Sequence, residues 1–481
     1  MTLTPEQAKA LRQQLVVLLE EKNYTEARKL MSSYTIFDGS EKIADENLLD
    51  LLNAVFSAAT EAEILFEQGN EYYQQGLFQE ALDCFLKATD IGGVQLEMCY
   101  TNIGLAYLEM QDYENALTYF NKTLALDAHF AFAINNRARL YREVGKHEEA
   151  VAEFTKLIEE NPTFALGYLN RGLTLTDMGE FERCIADFTQ AYALDSQLLL
   201  AIFTRGVVYK ALKQYDEALA DFEQALTLPA YALHTYLNIG LCYYEQNNLE
   251  KALIHYDRAL ELEPNFALAY NNRGIVYLAK GLYEEALTDF NKALALHPNF
   301  PEALNNRGLA YFNMGLYEPS LLDFDQALTL HPNFIQPYLN SGKSLHKLGR
   351  YKAAIHWLDT AVELTPENLE AYYYRGRAYM IESETEKALA DFKKVIALNP
   401  NYTHAYYFCG CIKQDAEQYK EAIDYFTQAI NLDETDYLSY YQRAMCYEAL
   451  QDRTKALQDC EACLAIEPDY EDAVALKNRL Q

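Results

Sequence analysis

Basic residues are scarce in this sequence. Lys and Arg together number 40 against 71 Asp and Glu, a formal charge of −31 over 481 residues. A surface of that sign repels phosphate backbones, and no basic stripe offsets it, so nucleic-acid binding is not expected. The acidity suits a solubility role on an elongated molecule; a preference for basic partners is the alternative. Long apolar runs are missing too. No window approaches the roughly 18 residues of a membrane span, so no membrane insertion is expected. The first twenty residues carry Glu6 and Lys9 and lack the apolar core and cleavage site of a secretory signal. Nine Cys are scattered without framework spacing, which fits a reducing compartment. A cytoplasmic setting is expected.

What is abundant is repetition. Half the residues are hydrophobic, a globular share, and length alone would suggest about three domains of roughly 150 residues. Internal repeats override that prior. Small residues recur at Gly69, Gly104, Ala138, Gly172, Gly206, Gly240, Gly274, Gly308, Gly342, Gly376, Gly410 and Ala444; after a first step of 35, every step is 34 residues. A second comb runs through Ala81, Ala116, Ala150, Cys184, Ala218, Ala252, Ala286, Ser320, Ala354, Ala388, Ala422 and Ala456.

Within one unit, taking Ala267 as position 1 and Phe300 as the last, the period is helical. Tyr270, Arg273, Gly274 and Tyr277 (positions 4, 7, 8 and 11) share one face of a first helix, and Ala286, Asp289, Phe290 and Ala293 (20, 23, 24 and 27) one face of a second. Gly281 stands where the first helix must stop, because glycine enters the left-handed region at little cost. Pro298 ends the second. Small residues at 8 and 20 let the backbones approach, and the aromatics at 11 and 24 fill the space beside them.

These residues resemble the tetratricopeptide repeat, whose pattern is an aromatic or Leu at 4, Gly at 8, Tyr at 11, Ala at 20, an aromatic at 24, Ala at 27 and Pro at 32. Pro fills position 32 as Pro162, Pro264, Pro298, Pro332, Pro366, Pro400 and Pro468. The resemblance implies an all-α, right-handed superhelical solenoid of about twelve helix–turn–helix units, with an atypical helical N-terminal cap. Residues 62–470 hold the twelve tandem units. Residues 471–481 make a capping helix, as solenoid ends require. Residues 1–61 form the N-terminal cap. There Tyr24-Thr25-Glu26-Ala27 matches the corner at Tyr283 to Ala286 and sets a degenerate repeat over 8–41, with one more amphipathic stretch from Ala44 to Thr60.

Position 7 faces the second helix and is expected to be apolar, yet seven units place Arg there: Arg137, Arg171, Arg205, Arg273, Arg307, Arg375 and Arg443. In the same seven, position 23 is acidic: Glu153, Asp187, Asp221, Asp289, Asp323, Asp391 and Asp459. The other five have Gln68, Ile103, Ile239, Ser341 and Cys409 opposite Cys84, Tyr119, His255, Trp357 and Tyr425, with no acid among them. This covariation within one chain points to structural salt bridges between the two helices of a unit.

Positions 2, 5, 6, 9, 12 and 13 make the first-helix face opposite the second helix. By the resemblance this face lines a concave groove where protein partners bind. Position 6 reads Asn102, Asn136, Asn170, Thr204, Asn238, Asn272, Asn306 and Asn340. An amide offers donor and acceptor to the backbone of an extended peptide, as in long superhelices of the family; equally, Asn is common at this position and can serve local bonds. An apolar stripe follows at Leu173, Val207, Leu241, Ile275 and Leu309, with Leu278 and Phe312 beside it. In the last units Tyr373, Tyr374, Tyr407, Phe408 and Tyr441 replace the amides at positions 5 and 6, and aromatic anchors make this a candidate selective site. The family's clamp for chaperone C-termini is not expected: Asn70 and Asn102 suit it, but Phe66 and Phe132 stand where its lysines belong.

No catalytic constellation is present. Cys460 and Cys463 form a CxxC, but they occupy core positions 24 and 27, and zinc needs four converging ligands; Cys409 and Cys411 form only a CxC. No His, Cys and Asp arrangement recurs, and no glycine loop cradles phosphate. The expectation is a non-enzymatic scaffold or adaptor without metal or cofactor, binding extended or helical segments of partner proteins. Alternatives are a self-assembling homo-oligomeric array and a regulatory or substrate-presenting subunit of a separate enzyme.

Overall fold

The computed structural model describes residues 4–20, 27, 30–31, 46–92, 95–227 and 229–481. Among them are 26 helices and no strand. Two compact units divide the chain, Met1–Cys242 and Tyr243–Gln481.

In each compact unit the helices follow the repeat. The unit read above has its first helix at Ala267–Ala279 and its second at Tyr283–Leu296. The close approach of the pair is visible at Gly274: a Cβ built there would lie 2.7 Å from Cε1 of Phe290, closer than real atoms stand. The same clash would arise at Gly104 against Phe120, Gly172 against Phe188 and Gly410 against Phe426. In these units the ring at position 24 takes the volume a side chain at position 8 would need, whereas the third unit accommodates Ala138 and Phe154 in one core. The last unit solves the same problem differently, pairing Ala444 with Cys460.

No unit closes its own core. Leu169, Leu175, Cys184, Phe188 and Ala191 of one unit pack with Ala201 and Val208 of the next first helix. Tyr379, Ala388, Phe392 and Val395 likewise join Ala405, Cys409 and Ile412. In these units the second helix is thus covered by the first helices of its own and the next repeat, the packing rule of a solenoid. At the C-terminus Leu476 and Leu480 of the helix Glu471–Leu480 cover Ala444, Ala456 and Cys460.

At the N-terminus Leu11 and Leu15 of the helix Pro5–Glu20 pack with Ala27, Met31, Leu48, Leu52 and Val55. Residues 24–26 of the expected corner, and most of 21–45, lie outside the described residues. A single 29-residue helix, Glu46–Gln74, runs through the expected boundary at residue 61, so the cap and the first repeat share one continuous helix.

The turn between the two helices of a unit has positive φ in all twelve repeats. Gly76, Gly145, Gly179, Gly281, Gly315 and Gly349 fill six, and Gln111, Lys213, Asn247, Ser383, Glu417 and Gln451 the other six. The motif requires it: Leu282 N–H reaches back to Tyr277 C=O at 2.9 Å, a Schellman closure. A non-glycine residue in this region costs about 1–2 kcal/mol. Lys213→Gly and Glu417→Gly are each expected to raise stability by about 1 kcal/mol, and Gly281→Ala to lower it by a similar amount. Urea unfolding followed by circular dichroism measures this; no gain from either glycine would mean the turns relax without strain.

Candidate functional site

The structure brings together all seven Arg–acid pairs. Arg273 Nε and Nη2 donate to the two carboxylate oxygens of Asp289, both at 2.7 Å. The same two-pronged geometry joins Arg137 to Glu153, Arg171 to Asp187, Arg205 to Asp221, Arg307 to Asp323, Arg375 to Asp391 and Arg443 to Asp459. In the six Arg–Asp pairs the acid is the deeper partner: the Asp289 side chain is 4% exposed and that of Arg273 21%. A planar fork matched to a planar carboxylate is the arrangement Arg makes best.

The remaining edge of each guanidinium does something the sequence reading missed. Arg273 Nη1 reaches Asp257, in the second helix of the preceding repeat, at 2.7 Å. Arg137 reaches Asn121, Arg171 Thr155, Arg205 Thr189, Arg307 Asn291, Arg375 Asp359 and Arg443 Thr427 in the same way. Each arginine therefore fastens three helices: its own, the second helix of its unit, and that of the unit before. The signal was there at spacing −16, where Asn, Thr or Asp precedes every one of the seven. Where the partner at −16 is itself an Asp, two carboxylates share one guanidinium. Burial then lifts the Asp289 and Asp391 carboxyls above their ordinary value, with Asp257 and Asp359 adding to the push.

On the first-helix face, the amides of position 6 bond chiefly to other amides, and two of those read from sequence as groove residues, Asn136 and Asn340, are buried in the joints between repeats. Asn170 donates to Asn135 at 2.9 Å, Asn306 to Asn271 at 3.0 Å, and Asn340 to Asn305 at 3.0 Å, each one repeat back. Asn102 donates to Asn70 at 3.0 Å. Asn136 and Asn272 accept from the adjoining Asn135 and Asn271, and Asn238 accepts from Lys210 Nζ at 2.6 Å. Position 5, read from sequence as part of the groove, is a joint: Asn135, Leu169, Asn271, Asn305, Leu339 and Tyr373 are all buried there, because the next first helix packs over them.

Tyr373 is the clearest correction. It is 8% exposed, with Tyr374, Tyr402 and Phe408 rings 5.4, 5.2 and 6.1 Å from its own. It is a core residue, not a surface anchor. Tyr374 and Phe408, at position 6, keep partial exposure, as do Tyr407 and Tyr441. Tyr407 bonds Cys411 and Gln442, and burial raises its phenol; Tyr441 stands edge-on to Tyr470 at 5.2 Å. Leu173, Val207, Leu241, Ile275, Leu278, Leu309 and Phe312 are each partly exposed.

Among the described residues no three His, Cys, Asp or Glu side chains are placed to hold a metal ion. Cys460 and Cys463 are fully buried, and burial pushes both thiols up to about 11. No helix of the described residues is long and apolar enough to cross a membrane.

Sequence models of the tetratricopeptide repeat match residues 62–92, 98–130, 133–164, 165–198, 200–228, 240–281, 276–315 and 301–334. A model described as the ETO1 C-terminal domain matches residues 344–481. Comparison with the curated proteins finds no match. Among solved structures, the APC/C hetero-tetramer Cut9-Hcn1 is similar at 17% identity over 87% of this chain and 96% of that one, with a TM-score of 0.45. A tetratricopeptide repeat protein from Parabacteroides merdae is similar at 22% identity over 52% of this chain and 99% of that one, TM-score 0.40. YrrB, described as having an unusual peptide-binding site, is similar at 30% identity over 38% of this chain and 95% of that one, TM-score 0.32.

Two predictions follow from the geometry. Arg273→Ile or Asp289→Tyr alone strands a buried charge and is expected to cost about 2–3 kcal/mol. The double variant, which recreates the Ile103 and Tyr119 pairing already in this chain, should recover most of that loss in a denaturation cycle; additive losses would mean the two side chains are uncoupled. The second concerns His346, at position 12. Its ring is 8% exposed, and burial first, then Arg377 and Lys347, lowers its pKa to about 4. The unfolded imidazole takes its proton near 6.5 and the folded one near 4, so unfolding gains a proton between those values. Stability is expected to fall as pH drops through that window, and His346→Leu to flatten the slope; an unchanged slope would assign the acid sensitivity elsewhere.

Proposed function

The chain belongs to the tetratricopeptide repeat family, and on that premise we propose that it is a protein-interaction scaffold. It captures extended or helical segments of partner proteins along the face of its first helices. The observation that carries this reading is the set of partly exposed apolar side chains on that face, Leu173, Val207 and Leu241 in one compact unit and Ile275, Leu278, Leu309 and Phe312 in the other. A row of partly wetted Leu, Ile and Phe side chains flanked by amides is the composition of a peptide-docking surface. The amides hold one another across the joints and still leave N–H groups for a backbone, since each side chain has two. At the C-terminal end Tyr374 and Phe408 take over from the amides and supply rigid apolar area. No reacting group is needed for this role, and the nine free thiols suit a reducing compartment such as the cytoplasm.

Leu309→Ser combined with Tyr374→Ser tests the face directly. Both side chains are partly exposed, so helicity by circular dichroism should be retained. Partners that co-purify with the native chain, identified by mass spectrometry, should be lost or reduced roughly tenfold or more. An unchanged partner set would move the binding site off this face.

A further inference from the structure

In a chain of charge −31, one stretch of the first-helix face gathers cations. Lys343 and Arg377 hold position 9 in successive repeats, and Lys347 follows at position 13. Glu370 is the carboxylate set against them, and Lys343 engages it at 2.7 Å. Three cations less one carboxylate leave two positive charges in excess.

Arg377 is unlike the seven arginines at position 7. Each of those grips a carboxylate with two prongs. Among the described residues, Arg377 is in no ion pair; its guanidinium lies 5.8 Å from the ring centres of both Tyr373 and Phe408. The ring contacts and a hydrogen bond to the Tyr373 hydroxyl leave most of its five N–H donors without a carboxylate. A guanidinium set beside two aromatic rings is restrained by them, and its planar fork suits a carboxylate acceptor.

A second, independent observation lies next to it. His346, at position 12 of the preceding repeat, is 8% exposed, and its Nε2 is buried with no hydrogen-bond partner. Its ring is wedged between Tyr351 and Tyr374, 5.1 and 6.0 Å away. An orphaned ring nitrogen is costly unless a ligand completes it. Tyr374, which His346 touches, also carries Lys343 Nζ 5.2 Å from its ring centre. Cations, orphan nitrogen and half-exposed rings thus share one place.

We propose that this place seats an acidic side chain, Asp or Glu, of the segment bound along the first-helix face. Its carboxylate meets the fork of Arg377, with Lys343 and His346 flanking, while Tyr374 and Phe408 pack the aliphatic stem. The inference rests on the groove reading above and adds the chemistry at one register. A strongly acidic scaffold would otherwise repel such a residue, so the cationic seat also sets where along the face the segment stops sliding.

The test uses the full chain and a displayed library of random dodecapeptides, panned on the native protein and on Arg377→Gln. Native selectants are expected to share an Asp or Glu at one register. Replacing that acid by its amide in a synthetic peptide should weaken binding about tenfold, and Arg377→Gln should remove the preference while still enriching peptides; Arg377→Lys should keep part of it. Selectants without a fixed acid, or equal affinity of Arg377→Gln for the acidic peptides, would overturn the proposal and leave the groove reading standing. Enrichment on neither protein would remove both. Competition by inorganic phosphate as effective as by the peptide itself would reassign the seat to a free anion and overturn the peptide.

Discussion

Everything in this molecule depends on how closely two helices of a repeat can lie. In most units a phenylalanine edge resting on a glycine backbone sets that distance, and the 34-residue period keeps the pair in register. Once the pair is this close, the face around position 7 is too tight for a loose charge. The bidentate carboxylate answers that constraint in seven units, and apolar or aromatic pairings such as Ile103 with Tyr119 answer it elsewhere. The next first helix then completes a core that neither partner could fill alone.

The family and helical architecture were legible because the repeat states them twelve times over. The pairing of positions 7 and 23 was legible for the same reason, since both members vary together. What escaped was the link to the repeat before. Asn121, Thr155 or Asp257 each looks like an ordinary surface residue, and only the geometry of a three-edged guanidinium gives them a common role. Position 5 was misread for a related reason. A helical wheel of one unit places Tyr373 on the free face, but the wheel does not contain the neighbouring helix that covers it. The doubled amides, Asn135-Asn136, Asn271-Asn272 and Asn305-Asn306, were the visible trace of that joint.

The candidate binding face was legible in composition and only partly in arrangement. Half-exposed Leu and Ile at position 9 stand where the period puts them. The amides, by contrast, divide: Asn102, Asn170, Asn272 and Asn306 keep partial exposure while bonding their neighbours, and Asn136 and Asn340 are buried in the joints. Arg377 drew no notice in the sequence because one arginine among many carries no pattern; it stands out only when every other buried guanidinium is seen to have its acid.

That double service of the amides has a consequence for stiffness. Several joints lack an arginine reaching back, and at two of them partly exposed side chains of the first-helix face span the gap instead: Asn102 to Asn70 and Lys210 to Asn238. There, grip and rigidity draw on the same few atoms. A segment that takes those hydrogen bonds for its own backbone slackens the hinge on which it lies, whereas one docking over an arginine-fastened joint leaves the array taut. On the proposed scaffold reading, the register at which a segment docks would then set how stiff the array is beneath it.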